Sequence, residues 1–310
     1  MKLTLSTAPH IRSRQDTRSL MLDVIIALLP ATIAGVYYFG LSAALVVAIT
    51  TLSAVVFEYA WQKLTHKPVC VGDLSAVVTG LLVGLNLPAT APWWMAVIGS
   101  GLAILLVKQL FGGIGDNFMN PALAARAILL ASWPARMTAF VVPTCWSGAD
   151  AVSSATVLAG GYEASKLELF LGQVPGCIGE VCKAAIVLGF LYLLVRRVIT
   201  WRIPVIFLGV FAALMAIFGY DPLVSVLSGG VMFGAVFMAT DYTTSPMSTK
   251  GQVIYAALCG LIVAIIRCFG NYPEGVTYAI LVMNVATPLI DKYAKPRLYG
   301  RLKKEAKANV

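Results

Sequence analysis

The stretch Ser19–Phe39 contains one charged residue, Asp23, in a length sufficient for a helix to cross the ~30 Å hydrocarbon core of a bilayer. Runs like it recur at Leu41–Trp61, Val71–Leu87, Trp93–Phe111, Pro121–Ser132, Cys177–Val195, Pro204–Gly219, Pro222–Ala239, Val253–Cys268 and Gly275–Ile290. With 59% hydrophobic and 12% charged residues over 310 positions, the chain has more apolar surface than one core can hide. Lipid must solvate much of it, and in lipid only helices or closed barrels satisfy their own backbones. The pattern predicts an all-α polytopic membrane protein of about ten transmembrane helices.

The net charge of +9 has a topological explanation that needs no nucleic acid. If the N-terminus is cytoplasmic, the inward segments collect Lys2, Arg12, Arg14, Arg18, Lys63, Lys67, Lys108, Arg196, Arg197, Arg202, Lys250 and the tail from Lys292 to Lys307, most of the 23 basic residues. Arg136, Lys166, Lys183 and Arg267 fall outside, and Arg126 lies within a span. Both termini are therefore expected in the cytoplasm, the basic tail setting topology or touching anionic lipid. The first run follows three arginines and precedes no small-residue cleavage site, so it is expected to be retained.

Two features organise the rest. About 44 residues between Trp133 and Gly176 form a connection longer than compact folds ordinarily use, and on this topology it is extracytoplasmic. The chain also echoes itself at an offset of 158, Pro88 with Pro246, Phe111-Gly112 with Phe269-Gly270 and Met21 with Gly179. Five spans per copy is an odd number, so the second copy enters the membrane inverted, and sites in such folds lie near short or interrupted helices. The candidates end at Asn86-Leu87-Pro88 and Ser245-Pro246, or run from Asn120-Pro121 to Trp133-Pro134. The expected division is a cytoplasmic segment 1–18, a five-helix repeat 19–132, the outer loop 133–176, a second repeat 177–291 and the tail 292–310.

Several chemistries are excluded by residue type. His10 and His66 both lie in polar stretches, which argues against a membrane-embedded haem. The six cysteines form no Cys-x-x-Cys and have no adjacent histidine, which argues against zinc or a self-contained iron–sulfur centre; Cys145, Cys177 and Cys182 share one region and leave a disulfide open. Gly112-Gly113-Ile114-Gly115 lacks the third glycine and the lysine of phosphate loops, and no serine, histidine and acid triad is visible.

The outer loop carries Asp150-Ala151-Val152-Ser153-Ser154-Ala155-Thr156-Val157-Leu158. By residue type alone this is a helix start, with Ser153 or Ser154 as N-cap, or an anion site at that start. It also resembles the flavinylation motif D-x-x-[S/T]-G-A-T, whose last threonine receives FMN as a phosphoester. Asp73-Leu74-Ser75-Ala76, Gly84-Leu85-Asn86-Leu87-Pro88, Phe118-Met119-Asn120-Pro121-Ala122 and Phe237-Met238-Ala239-Thr240-Asp241 fit the same family. Together these motifs resemble the D subunit of the Rnf complex, over nearly the whole chain, with the B subunit of the sodium-pumping NADH:quinone oxidoreductase as a longer relative. Ser154 stands where the family usually has Gly, and Val157 where it often has Pro.

The resemblance implies an electron-transfer subunit of an Rnf-type ferredoxin:NAD⁺ oxidoreductase in a bacterial cytoplasmic membrane, coupled to Na⁺ or H⁺ movement and inactive alone. It implies covalent FMN on Thr156, with Asp150, Ser153, Ser154 and Ala155 as its recognition frame, and a non-covalent riboflavin between helices nearer the cytoplasm. Implied partners are the A, B, C, E and G subunits of the Rnf complex, ferredoxin and NAD through them, and a flavin transferase. Four further residues carry two readings each. Arg126 either snorkels or faces the bundle to hold a flavin; Asn120 caps its helix or contacts a flavin; Asp73 and Asp241 cap helices or admit a cation. The rival class is a secondary transporter without flavin, although no carboxylate falls at the centre of a span.

Overall fold

The computed structural model describes residues 16–143, 165–270 and 275–294. α1 (Thr17–Phe39) turns at Gly40 directly into α2 (Leu41–Leu64). α3 (Ser75–Leu85) and α4 (Trp93–Gly101) follow, and α4 runs on as a π-helix, Leu102–Gln109. Next come α5 (Pro121–Ser132), the brief α6 (Pro134–Met137) and α7 (Lys166–Leu171), then α8 (Lys183–Val195) and α9 (Arg202–Ile217). The short α10 (Pro222–Leu227) and α11 (Val231–Phe233, prolonged by a π-helix, Gly234–Met238) precede α12 (Thr249–Phe269) and α13 (Val276–Tyr293). Every element of more than one residue among the described residues is a helix.

α1, α2 and α12 are each long and apolar enough to cross a membrane. Their side chains divide by face in the helical period: Ala27, Leu28 and Ala31 of α1 and Ala43, Val46 and Ala54 of α2 are buried, while Leu22, Leu29, Ile33, Leu45, Leu52 and Val56 are exposed. Apolar residues on both faces are what a helix needs when one side meets protein and the other lipid. The chain is thus a multi-pass helical membrane protein. α2 packs on α3 and α4, α9 on α12, α1 on α8 and α5 on α13. At the α1–α8 crossing a Cβ on Gly189 would overlap the Ala27 carbonyl and lie 2.8 Å from Phe237 Cζ, so only glycine lets these backbones meet.

Most apolar runs match a helix to within a few residues, and Pro121–Ser132 coincides with α5. Two do not. Pro222–Ala239 is broken at Ser228-Gly229-Gly230, where Gly229 adopts φ 62°. The carbonyls that the break exposes are taken up by distant cations: Arg267 donates to Ser225 O at 2.7 Å and Ser228 O at 3.0 Å, and Lys183 Nζ to Gly229 O at 2.8 Å. Likewise Cys177–Val195 becomes helical only at Lys183. Ahead of it Ile178 and Gly179 donate backbone N–H groups to Leu87 O and Leu85 O at 3.1 and 2.8 Å, completing the C-terminal end of α3. Irregular backbone survives there because it is buried in protein, which hydropathy alone does not register. Lys108 and Lys183, expected among loop charges, are both buried, and Arg267 is a carbonyl cap.

Candidate functional site

At the Thr17 end of the bundle the start of α3, the π-helical end of α4, the start of α5, the end of α8 and residues 240–243 converge on a cavity. It encloses about 840 Å³ including its open mouth. Met21, Val24, Val78, Leu82, Leu193 and Phe237 make much of its wall apolar, and Ser75, Lys108, Asn117, Asn120 and Asp241 add polar groups.

Asn120 reaches the wall through local chemistry. It precedes Pro121 at the first turn of α5, and its Oδ1 accepts from the N–H groups of Ala122 and Leu123 at 3.1 and 3.3 Å. Its Nδ2 donates to Met238 O at 3.4 Å. The capping reading therefore holds, and the same residue borders the cavity. Three residues earlier, Asn117 lines the same cavity, while its Oδ1 is enclosed in the protein with no hydrogen-bond partner among the described residues. Asp241 Oδ2 accepts from the hydroxyls of Thr243 and Thr244 at 3.2 and 3.4 Å. Burial pushes its carboxyl above the usual carboxylate range, against the pull of those hydrogen bonds.

Asp73, one residue ahead of the α3 N-cap Leu74, ties down the helix start, its Oδ1 accepting from Ser75 N at 2.9 Å and Ser75 Oγ at 2.7 Å. It lines a second cavity of about 820 Å³, together with Thr17, Glu58, Gln62, Lys67 and Gln109. Asp241 borders the first cavity and Asp73 the second, and Ile114 lines both. Between these spaces sits a buried pair: Lys108 Nζ donates to Glu58 Oε2 at 2.8 Å, Glu58 Oε1 at 3.0 Å and Ser75 Oγ at 2.6 Å.

Arg126 turns inward. Buried in α5, it donates from Nη1 to Asn86 Oδ1 at 2.7 Å and from Nη2 to Cys177 Sγ at 3.4 Å. Glu180 lies in the field of Arg126 and Lys183, and its carboxylate packs against Gly230. Six residues separate Arg126 from Asn120, about 9 Å along the helix, so the two serve different places. Asp150, Ser153, Ser154, Ala155 and Thr156 lie outside the described residues, as does Cys145.

Sequence reasoning passed over Asn117, Glu58, Lys108, Glu180 and Lys183. Asn117 carried a weak signal, an amide one turn before a helix cap. Glu58 and Lys108 carried a stronger one, single opposite charges near the ends of two apolar runs, each of which needs a partner when buried.

Residues 4–300 match the model of the NQR2, RnfD, RnfE family. The chain is 53% identical to the D subunit of the Na(+)-translocating ferredoxin:NAD(+) oxidoreductase complex of Acetobacterium woodii, covering 99% of each chain. It is 41% identical to the D subunit of the proton-translocating ferredoxin:NAD(+) oxidoreductase complex of Clostridium ljungdahlii, covering 96% of each. To the D subunit of the ion-translocating oxidoreductase complex of Halorhodospira halophila it is 37% identical over 96% of its own length and 95% of the relative's.

Proposed function

We propose, from the premise that this chain belongs to the NQR2, RnfD, RnfE family, that it carries FMN as a phosphoester on Thr156 and a second, non-covalent flavin, riboflavin, in the cavity beside α3, α5 and α8. The chain is a membrane electron-transfer subunit of an Rnf-type complex that couples electron flow to ion translocation, and it does not act alone. A bound flavin would supply one- and two-electron transfer.

The observation that carries the cavity assignment is the make-up of its wall, largely apolar with a few polar residues, Ser75, Asn117, Asn120 and Asp241. Such a wall suits a flat heteroaromatic ring, its polar residues meeting the ring's heteroatoms while Leu82, Leu193 and Phe237 cover apolar faces. Asn120 holds the start of α5 in register, and Asp241 adds a polar group to the wall. Asp150, Ser153, Ser154 and Ala155 form the frame by which a flavin transferase recognises Thr156. Arg126 serves the interior cluster with Asn86 and Cys177 rather than the ring. Asp73 and Asp241 belong to an ion path only as separate stations, one at each cavity.

In this reading ten spans form two inverted five-helix repeats with the termini in the cytoplasm and the 133–176 loop outside. Support comes from the packing, in which α2 with α4 and α9 with α12 are like pairs within the halves, and α1 with α8 and α5 with α13 join the halves. Partners are the A, B, C, E and G subunits of the Rnf complex, with ferredoxin and NAD met through them.

The test is denaturing electrophoresis of the natively expressed complex beside acid extraction of its loose flavin. A fluorescent band is expected at the position of this polypeptide, abolished by Thr156→Ala. Asn117→Leu should leave that band and remove the extractable flavin. A chain that stays dark despite a co-expressed transferase would instead support a transporter without flavin.

A further inference from the structure

The buried pair Glu58–Lys108 is not needed to neutralise a loop, and the described helices could pack around two apolar side chains in its place, often at no loss of stability. Both residues are almost fully enclosed, at 1% and 2% exposure. Their geometry is directional. Lys108 and Ser75 line the largely apolar cavity, and Glu58 does not; Glu58 lines the polar cavity with Gln62 and Gln109, and Lys108 does not. The wall between the two spaces is therefore an oriented dipole with its ammonium end at the apolar cavity.

The orientation is enforced from both sides. On the acidic side Gln109 Nε2 and Gln62 Nε2 donate to Glu58 Oε1 at 2.9 and 3.3 Å, and Gln62 is itself held by the Cys70 N–H at 3.0 Å. On the basic side Ser75 Oγ accepts from Lys108 while donating to Asp73 Oδ1, which turns an oxygen lone pair toward the ammonium. All three protons of Lys108 are used, so it offers a ligand its field rather than a hydrogen bond. Beside a largely apolar wall a fixed charge acts more strongly than in bulk solvent.

From this we infer that Lys108, held in place by Glu58 and Ser75, is the electrostatic positioning residue of the apolar cavity, favouring an occupant that gains electrons there. The inference rests on the proposal that the cavity holds the non-covalent flavin. Lys108 then stabilises the electron-rich form of that group and raises its potential, without touching the covalent flavin on Thr156.

The decisive variant is Glu58→Gln combined with Lys108→Met in the assembled complex, because it removes both charges and strands neither. Non-covalent flavin is quantified by acid extraction, and both flavins are titrated with redox mediators. The expected result is full flavin content with the reduced-to-oxidised ratio of the non-covalent group lowered tenfold or more at fixed ambient potential, a shift of about 30 mV for a two-electron couple. The covalent group should be unmoved. Ser75→Ala, a milder change, should lower the same ratio by less. An unchanged titration in a complex that keeps its non-covalent flavin overturns the inference and leaves the cavity assignment standing. Absence of extractable flavin from the unmodified complex overturns both.

Discussion

Two buried ionic clusters divide the interior, and they differ in what their cations hold. At the Thr17 end Lys108 answers to side chains alone, Glu58 and Ser75, and the cluster borders a cavity on each side. In the other, Lys183 donates to the main-chain oxygens of Glu180 and Gly229, and Arg126 ties Asn86 to Cys177. The backbone beside this second cluster is broken in two places, so its charges substitute for helix hydrogen bonds. A charge paired with a charge can be removed with its partner. A charge that satisfies backbone carbonyls has no removable partner, because the peptide remains.

The two clusters should part most sharply at Lys183. Lys183→Met should destabilise the protein by about 2–5 kcal/mol, because it leaves the main-chain oxygens of Glu180 and Gly229 unmet and takes one of two neighbouring positive charges from the Glu180 carboxylate; a thermal-shift assay in detergent that finds no loss would show that water replaces it. Gly189→Ala, which forces α1 and α8 apart without touching charge, should cost about 1–3 kcal/mol in the same assay. Asn120→Ala should cost about 1 kcal/mol as a lost cap, with extractable flavin falling alongside. Removing both Glu58 and Lys108 should change stability by less than about 1 kcal/mol. A loss as large as that of Lys183→Met would erase the distinction between the clusters.

The smallest expected effect lies at the surface. Lys166 pairs with Asp221 at 2.8 Å where both are exposed, and the hydrogen bond from Lys166 holds the Asp221 carboxyl below its ordinary value, helped by the Val224 N–H at the start of α10. A lowered carboxylate pKa adds stability that is complete above the unfolded value of 3.8 and fades as pH falls through the folded one. Protection factors in residues 165–172, with the intrinsic pH dependence of amide exchange divided out, should therefore be constant from neutral pH to about 5 and fall only in stronger acid, with Asp221→Asn removing that acid step.

The helices were largely legible because each α-helix needs only its own run of apolar residues, and the caps because they act within one turn. Asn120 is such a cap and Asp73 ties down a helix start, each reaching two or three residues along the chain. The candidate site was legible in part: Asn120 and Asp241 share a cavity wall, while Arg126 lies in the buried cluster with Asn86 and Cys177 and Asp73 lines a second space. Apolar periodicity shows that a face points inward without showing which helix meets it, so the separate roles of Arg126 and Asn120 on α5 were invisible.

What the sequence determines by itself is the solvent. So few charges spread over so many apolar runs leave only a helical chain in lipid, and the family motifs add what such a chain is for. Only the tertiary structure decided where those helices stop. A hydropathy average passes smoothly over Ser228-Gly229-Gly230 because its neighbours are apolar, yet the helix breaks there, and the break is stable because Arg267 and Lys183 arrive from elsewhere in the chain to take its carbonyls. Glu58 and Lys108 likewise lie 50 residues apart and become one dipole only when α2 and the π-helical end of α4 pack side by side. Local chemistry is written along the chain, whereas the partner of a buried charge is chosen by packing.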